Sequence, residues 1–510
     1  MSSPAFLEWA NRSDLPRALA VTVTITRRGD GQPLTLYLTD SAAPKGTWDN
    51  QHNWVRCIHR PPFISHQMQQ AFNGRSLASF GDLELALDDR AKLGPDGGLS
   101  WDEALNDYRW AGGAILSQVG GPDLAWPDWE PAQRGILGRL TQERGLAKVP
   151  VYGKAAGLQT IKIPPDTYSE AEGVPSATVG KVKPCCIGPC NNITPVLISE
   201  AGPWVYQVHA HGPIQTITEV RVADVATASA TINLANGTIS FAAKPSGQVT
   251  CDVRGWARGG VYLQSAAQIM EAILRQWGGA TDADIDAAAF AAMHAAVPAP
   301  LALYLTSASD IRTVLDNCCL GLPLVWLDDA LGRYTLRQFA APSGQPVLEL
   351  YDRTVGDPTW GAAICWNARS QPAPRWWSKC TVHGDRNWTV NNNPAASLGA
   401  DRQAWLKEDY RSREALGTAP TLNGQVTEGE YKTFMAYLAD CQAQALREIG
   451  LHGVERNLVT LDCLYAALTL GLGDVVRVWS KVGGMSGGWS GMVVERKATL
   501  PGQASVKLWG

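Results

Sequence analysis

The stretch GKVKPCCIGPCNNITPVLI, residues 180–198, sets Cys185, Cys186 and Cys190 close together, and His209 and His211 follow as HAH. Thiolates and imidazoles grouped in this way are the ligand types of zinc and iron–sulfur centres, so metal chemistry is the first reading to weigh. Successive side chains of a strand point to opposite faces, so Cys185 and Cys186 cannot both reach one ion from regular strand. The pattern C-C-x-x-x-C also departs from the usual C-x2-C, and Cys57 or Cys251 would have to converge from afar. On a strand His209 and His211 would share a face and could chelate one ion, but the sequence names no third ligand. The expectation is buried or turn-lining thiols, two histidines on the wetter face of a half-buried strand, and no metal, cofactor or catalytic residue. Cys318 and Cys319 close a helix about 100° apart around it, one facing the core and the other a neighbouring element. Asp328 and Asp329 are expected as solvated turn residues of a hairpin, not as a glycosidase pair. No P-loop, H-E-x-x-H or post-strand G-x-G-x-x-G is present.

The elements that would position these residues follow from the whole chain. It has 510 residues, and at roughly 100–200 residues per domain this makes about three or four units. Apolar residues make up 45%, enough for each unit to bury an ordinary core. Lys and Arg number 44 against 48 Asp and Glu, a net charge of −4, so no strongly basic field holds a nucleic acid backbone and no basic run marks a membrane surface. The N-terminus carries charges and Pro16 where a signal peptide would be apolar. No stretch approaches the ~20 apolar residues that span a bilayer, so a soluble chain made in the cytosol is expected. Eleven scattered cysteines, an odd number, do not make the disulfide framework of a small secreted domain; they are expected to be reduced and buried as small apolar groups. The 20 tryptophans could form a glycan platform, but they are spread along the chain, which favours packing.

Hydrophobic periodicity predicts a β-rich α+β, multidomain chain. Residues 1–170 form an N-terminal β-rich domain, in which Val21, Val23 and Ile25, then Leu34, Leu36 and Leu38, alternate around the turn residues Gly29, Asp30 and Gly31. Residues 171–258 form a second β domain with an Asn236-Gly237 hairpin turn. Residues 259–345 form a small helix-rich middle domain ending in a hairpin. One helix face there carries Ile269, Met270, Ile273, Leu274 and Trp277, and a later helix is capped by Ser307 or Ser309. Residues 346–510 form a C-terminal β domain. It holds a polar excursion with helical turns over 393–420 and one long amphipathic helix over 427–450, whose buried side is Tyr431, Phe434, Met435, Leu438, Cys441 and Leu446.

Local sequence goes further. Lys183, Pro184, Gly188, Asn192, Pro195, Val196 and Leu197, followed by Tyr206, Val208, His209, Gly212, Pro213, Ile214 and Ile217, form a pattern that resembles the baseplate hub or tail-tip proteins of long-tailed, siphovirus-like bacteriophages. DRNWTV at 385–390 and the closing LGDVVRVWS…GGWSGMVVERKA resemble other strands of those proteins, and the resemblance covers about residues 175–510. Where CCIGPC stands, that family usually carries apolar or aromatic strand residues, so the cysteines read as replacements for them.

The resemblance implies β-barrel- or sandwich-like hub domains and a homotrimer whose two barrels per subunit present six similar surfaces to a hexameric tail tube. It implies a place in the virion's tail tip. The partners would be the tail tube and tape-measure proteins on one side and a central fibre or receptor-binding protein on the other. The hub would serve host attachment and gate DNA exit during infection, with DNA only passing through the lumen, and no membrane anchor, cofactor or enzymatic activity is implied. Two other readings stay open: a glycan-binding or hydrolase module, and a hub that carries a metal or iron–sulfur cluster.

Overall fold

The computed structural model describes residues 3–510 apart from 13, 42–47, 50, 69–75, 89, 96, 330, 353–354, 356–362, 418–426 and 501–502.

Alternation builds the first barrel. In the strand Ala18–Arg27 the side chains of Leu19, Val21, Val23 and Ile25 are fully buried, and the threonines between the last three are only half-buried. This strand pairs with Pro33–Thr39 through the expected hairpin and with Tyr108–Gly120 on its other edge. The sheet continues through Glu130–Leu137, Leu146–Tyr152 and Asp82–Ala86. Val55–Arg56 pairs with Pro33–Thr39, and Ile58–Arg60 pairs with Asp82–Ala86. Cys57 between them closes the cylinder: its N–H donates to Thr39 O at 3.1 Å and its carbonyl accepts from Ala86 N–H at 2.7 Å. A closed ring leaves no unpaired strand edge.

A second barrel runs through Val475–Trp479, Leu348–Asp352, Ala363–Pro372, Asn457–Cys463, Ala504–Trp509 and Trp489–Thr499, and the last pairs back onto the first. Trp489–Thr499 divides one of its edges. Residues 489–492 pair with 475–478 and close this barrel, while 495–499 pair with 63–67 of the hairpin Phe63–Met68 and Ser76–Phe80. Strands from both ends of the chain therefore share one sheet, and the two barrel interiors form one continuous apolar cluster, from Phe6 and Leu19 to Leu508 and Trp509.

Two smaller sheets face each other over a separate core. Pro189–Ile193, Val249–Arg258, Ile214–Val222 and Val225–Ala226 lie in one, and Val196–Ser199, Trp204–Gln207, Thr238–Phe241 and Thr231–Asn233 in the other. Ile193, Val208, Ile217, Ile239 and Val253 fill the space between them. The Asn236-Gly237 hairpin forms as expected, with Gly237 at φ +59°.

Helices Ala266–Gln276 and Ile311–Cys319 form with the buried face an apolar period requires, and the alanine-rich Ala287–Ala296 forms between them with Phe290 buried. Their buried faces lie in one cluster with Trp377, Val382, Tyr431 and Cys441 from the C-terminal stretch. The hairpin Leu324–Asp328 and Tyr334–Gln338 joins this cluster to the barrels. Leu324 and Trp326 enter the helical cluster, and Val325 and Leu327 enter the barrel cluster.

Some expectations are corrected. The helix Ile311–Cys319 is capped by Asp310, whose Oδ1 accepts from Thr313 N–H at 2.8 Å; Ser309 pairs instead with Ile163. Residues 427–450 are not one helix. Glu428–Lys432 is a strand beside Lys379–Gly384, Phe434 and Met435 lie in the connection, and the helix spans Leu438–His452 with Leu446 57% exposed. Tyr431 is buried, but as a strand residue. The polar excursion holds the helix Ala400–Lys407 and then the edge strand Arg411–Leu416, whose many charges hide the strand period.

The cap assignment has a measurable consequence. Asp310→Ala is expected to lower stability by about 1 kcal/mol, whereas Ser307→Ala and Ser309→Ala are expected to stay within about 0.5 kcal/mol of the parent chain. Urea unfolding of the three variants measures both.

Candidate functional site

The strand Cys185–Ile187 pairs with Leu303–Leu305, and alternation sends its adjacent thiols apart. Cys185 enters the helical cluster, and Cys186 enters the core between the two small sheets, where Cys190 and Cys251 also lie. All eleven cysteines are buried and unbridged. Burial, and then the neighbouring Cys190, hold Cys185 and Cys186 well above the ordinary thiol range; burial alone pushes Cys57 up to about 12. Such thiols stay protonated at neutral pH and are poor nucleophiles. Cys318 and Cys319 both enter the helical cluster, with Cys319 Sγ 3.6 Å from Met270 Sδ of the helix Ala266–Gln276. Among the described residues no group of three or more His, Cys, Asp or Glu side chains is placed to hold a metal ion.

The histidines are not on the wet face of a strand. Trp204–Gln207 ends just before them, where Val208 N–H and His209 N–H both turn onto Gly237 O, at 2.8 and 3.3 Å. His209 is fully buried, and its Nδ1 accepts the Cys186 N–H at 3.0 Å, which puts the ring proton on Nε2. Burial, followed by the charge of His211, depresses its pKa to about 3. His211 Nε2 lies 3.4 Å from Lys183 O, and the two imidazoles cross at 80° with centroids 5.9 Å apart. Trp256 packs against His209 and Trp277 against His211. The arrangement satisfies a buried backbone N–H with a neutral ring.

Two of the segments that carry the family resemblance, the one around Asn192 and DRNWTV at 385–390, meet at Asn192. It sits at φ +53°, a left-handed conformation that asparagine tolerates. Its N–H donates to Asp252 Oδ1 at 2.7 Å, and its Nδ2 donates to Asn387 Oδ1 at 2.9 Å and Thr389 O at 2.8 Å. Asn387 Nδ2 in turn donates to Leu406 O at 2.9 Å. Arg386 stacks over Trp388, 4.2 Å from the ring centre. Asn192 and Asn387, 195 positions apart, thus tie the small sheets to the C-terminal stretch. Gly188 has φ +71°, and a Cβ there would collide with Leu301 O.

Asp328 is not a solvated turn residue. It ends the strand Leu324–Asp328 at 2% exposure, accepts from Ala155 N–H at 3.4 Å, and has its pKa raised by burial. Asp329 does occupy the turn, accepting from the N–H groups of Leu331 and Arg333 at 2.9 Å. Four tryptophans do gather. Trp48, Trp54, Trp126 and Trp129 pack with centroids 4.8–5.4 Å apart at tilts of 45–55°, ring against ring and not as a flat platform.

Two features escaped sequence reasoning. Glu448 is buried, where it accepts from Gln444 at 2.7 Å, Arg447 at 3.1 Å and Tyr431 Oη at 3.2 Å, and burial raises its pKa. The i, i+4 spacing of Gln444, Glu448 and His452 on one helix face was the available signal. Gly484-Met485-Ser486-Gly487-Gly488 also has the G-x-S-x-G spacing of a nucleophile elbow. It lies in the 3-10 segment Val482–Gly487 between two antiparallel barrel strands, with Ser486 exposed, so the strand-to-helix elbow is missing.

No family model matches the chain, and no curated protein sequence matches it. Solved structures do. The tail protein from Neisseria meningitidis MC58 is 10% identical over 96% of this chain and 96% of its own, with a TM-score of 0.41. The 43 kDa tail protein of prophage MuSo2 from Shewanella oneidensis is 10% identical over 96% of this chain and 98% of its own, with a TM-score of 0.40. A chain of the native gene transfer agent particle is 13% identical over 66% of this chain and 86% of its own, with a TM-score of 0.45.

Two outcomes are expected. Asn387→Ala should cost about 1–3 kcal/mol, because it strips partners from Asn192 and Leu406 O, and a double-mutant cycle with Asn192→Ala should show strong coupling. Burial, the leading cause in each case, also holds His66, His209 and His452 to about 3. An unfolded histidine takes its proton near pH ~6.5, so acid favours the unfolded chain. Stability should fall by up to ~1.4 kcal/mol per pH unit for each histidine below that pH, levelling off near their folded values. Urea midpoints between about pH 7 and about pH 5 measure the slope.

Proposed function

We propose that the chain is the structural hub of a bacteriophage tail tip. One observation carries this reading: a single chain closes two β-barrels, and the hairpin Phe63–Met68 and Ser76–Phe80, which lies in the chain between the first barrel's strands Ile58–Arg60 and Asp82–Ala86, pairs with Trp489–Thr499 of the second. Three such chains around an axis offer six barrels, the number with which a threefold ring can meet a sixfold tube. The motif residues of the sequence resemblance support it, because Gly188, Asn192 and Asn387 hold the outer units in place and none is exposed to a cleft.

In this reading the two barrels form the ring around the lumen, and the units at 171–258 and 259–345 stand outside it. The tail tube and tape-measure protein contact one end, and a central fibre or receptor-binding protein the other. DNA passes through without being gripped, as the net charge of −4 favours. No residue is assigned a role in making or breaking bonds.

The test is the assembly of the purified full chain. Light scattering is expected to give three times the mass of one chain, and electron microscopy a ring with threefold symmetry and six lobes around a hole. A chain that stays monomeric at high concentration and in the presence of purified tail tube protein overturns the proposal.

A further inference from the structure

The outer face of the second barrel carries a depression of about 340 Å³, whose lining includes Arg369, Thr460, Glu495, Lys497, Ser505 and Lys507. Pairing register builds it. Arg369 lies opposite Thr460, Thr460 opposite Lys507, and Lys507 opposite Glu495, a straight row across four strands. Irregularities between Trp366 and Arg369 and between Val493 and Glu495 break the ladders beside this row. Bulges bend a sheet locally and re-aim its side chains.

The charges are arranged unequally. The Glu495 side chain is 6% exposed and has both oxygens engaged: Oε2 accepts from Lys507 Nζ at 2.5 Å, and Oε1 pairs with Lys497. Burial works against its charge, but the lysine hydrogen bonds prevail and its pKa is lowered. Each ammonium has three N–H groups and spends one on Glu495. Arg369 is exposed and makes no ion pair among the described residues. Three cations against one carboxylate leave a net charge of +2, and the hydroxyls of Thr460 and Ser505 add donors. The depression is therefore rich in donors, and its buried acceptor is already occupied.

We propose that this depression binds a phosphate group as a dianion, with Arg369 supplying a planar fork and Lys497 and Lys507 two ammonium groups held in place by Glu495. A single carboxylate would leave one positive charge unmatched; a phosphate monoester or inorganic phosphate matches both. The depression is wider than a phosphate group alone, so the organic part of an ester has room beside it. The inference does not rest on the hub reading, because it uses one face of one chain.

The full chain is titrated calorimetrically with inorganic phosphate, glycerol phosphate and a short single-stranded oligonucleotide, at ionic strength held constant with chloride. Saturable binding of one phosphate group per chain is expected. Arg369→Gln, which breaks no internal pair, is expected to weaken it about tenfold or more. Lys507→Gln should weaken it further, and its melting curve shows whether the fold survives. Competition between inorganic phosphate and glycerol phosphate tells a free phosphate from a small ester as the source of the group, and an oligonucleotide, whose phosphodiesters are monoanions, that binds tighter than both overturns the dianion assignment. Equal heats with chloride alone, or Arg369→Gln binding like the parent chain, overturn the proposal.

Discussion

Residues 489–492 and 495–499 of one strand hydrogen-bond to 475–478 and to 63–67, so a single strand edge closes one barrel and captures a hairpin from the other. Joining distant segments adds little equilibrium cost, because loop-closure entropy grows only logarithmically with length. What needs specification is register, since a slip of one residue would turn every side chain to the wrong face. Arg496 supplies it. It lies opposite His66 at the crossing, is buried, and donates to Leu468 O at 2.5 Å and Leu470 O at 2.7 Å. Burial lowers its pKa to about 10, so it remains charged at neutral pH. A slip of this strand by one residue would turn Arg496 away from those carbonyls, and a slip by two would carry the buried charge past them. His66 beside it is kept neutral, by burial first and by Arg496 second.

The same logic, an apolar core for cohesion and a few buried polar contacts for orientation, holds the outer units. The hairpin Leu324–Asp328 and Tyr334–Gln338 is a two-sided wedge with one face in each large cluster, so the helices cannot move without disturbing the barrels. Apolar contact alone would tolerate sliding. Asn192 and Asn387 remove that freedom, because each spends its amide N–H groups on specific carbonyls of the other segment or its neighbours.

Where one face of an element is buried and the other wet, the sequence was readable. Ala18–Arg27 with Pro33–Thr39, the Asn236-Gly237 hairpin and Ala266–Gln276 all appear as periodicity requires. Reading failed where the period was masked. In Glu428–Lys432 only Gly429 and Tyr431 are buried, and glycine carries no hydrophobic signal, so the strand merged with the helix beyond it. Arg411–Leu416 is an edge strand with a single buried residue, Ala415. Asp328 and His209 were misplaced for a different reason. Their burial depends on partners far away, the Ala155 and Cys186 N–H groups, which no local pattern announces. Barrel closure through Cys57 is of the same kind: two strands are joined by the N–H and C=O of one residue whose side chain says nothing about it.

The cysteines show how far a local rule can reach. Strand alternation alone separates Cys185 from Cys186, and the structure adds the reason that both positions are small. A Cβ on Gly255 would collide with Cys186 O, and one on Gly188 with Leu301 O, so three backbones approach closely at this point. Bulky side chains facing either core would push those backbones apart. A thiol is larger than a methyl group, is not branched at Cβ, and fills the remaining space without requiring a hydrogen-bond partner. Its desolvation keeps it protonated, so the packing that makes cysteine suitable here also removes the chemistry that its clustering suggests.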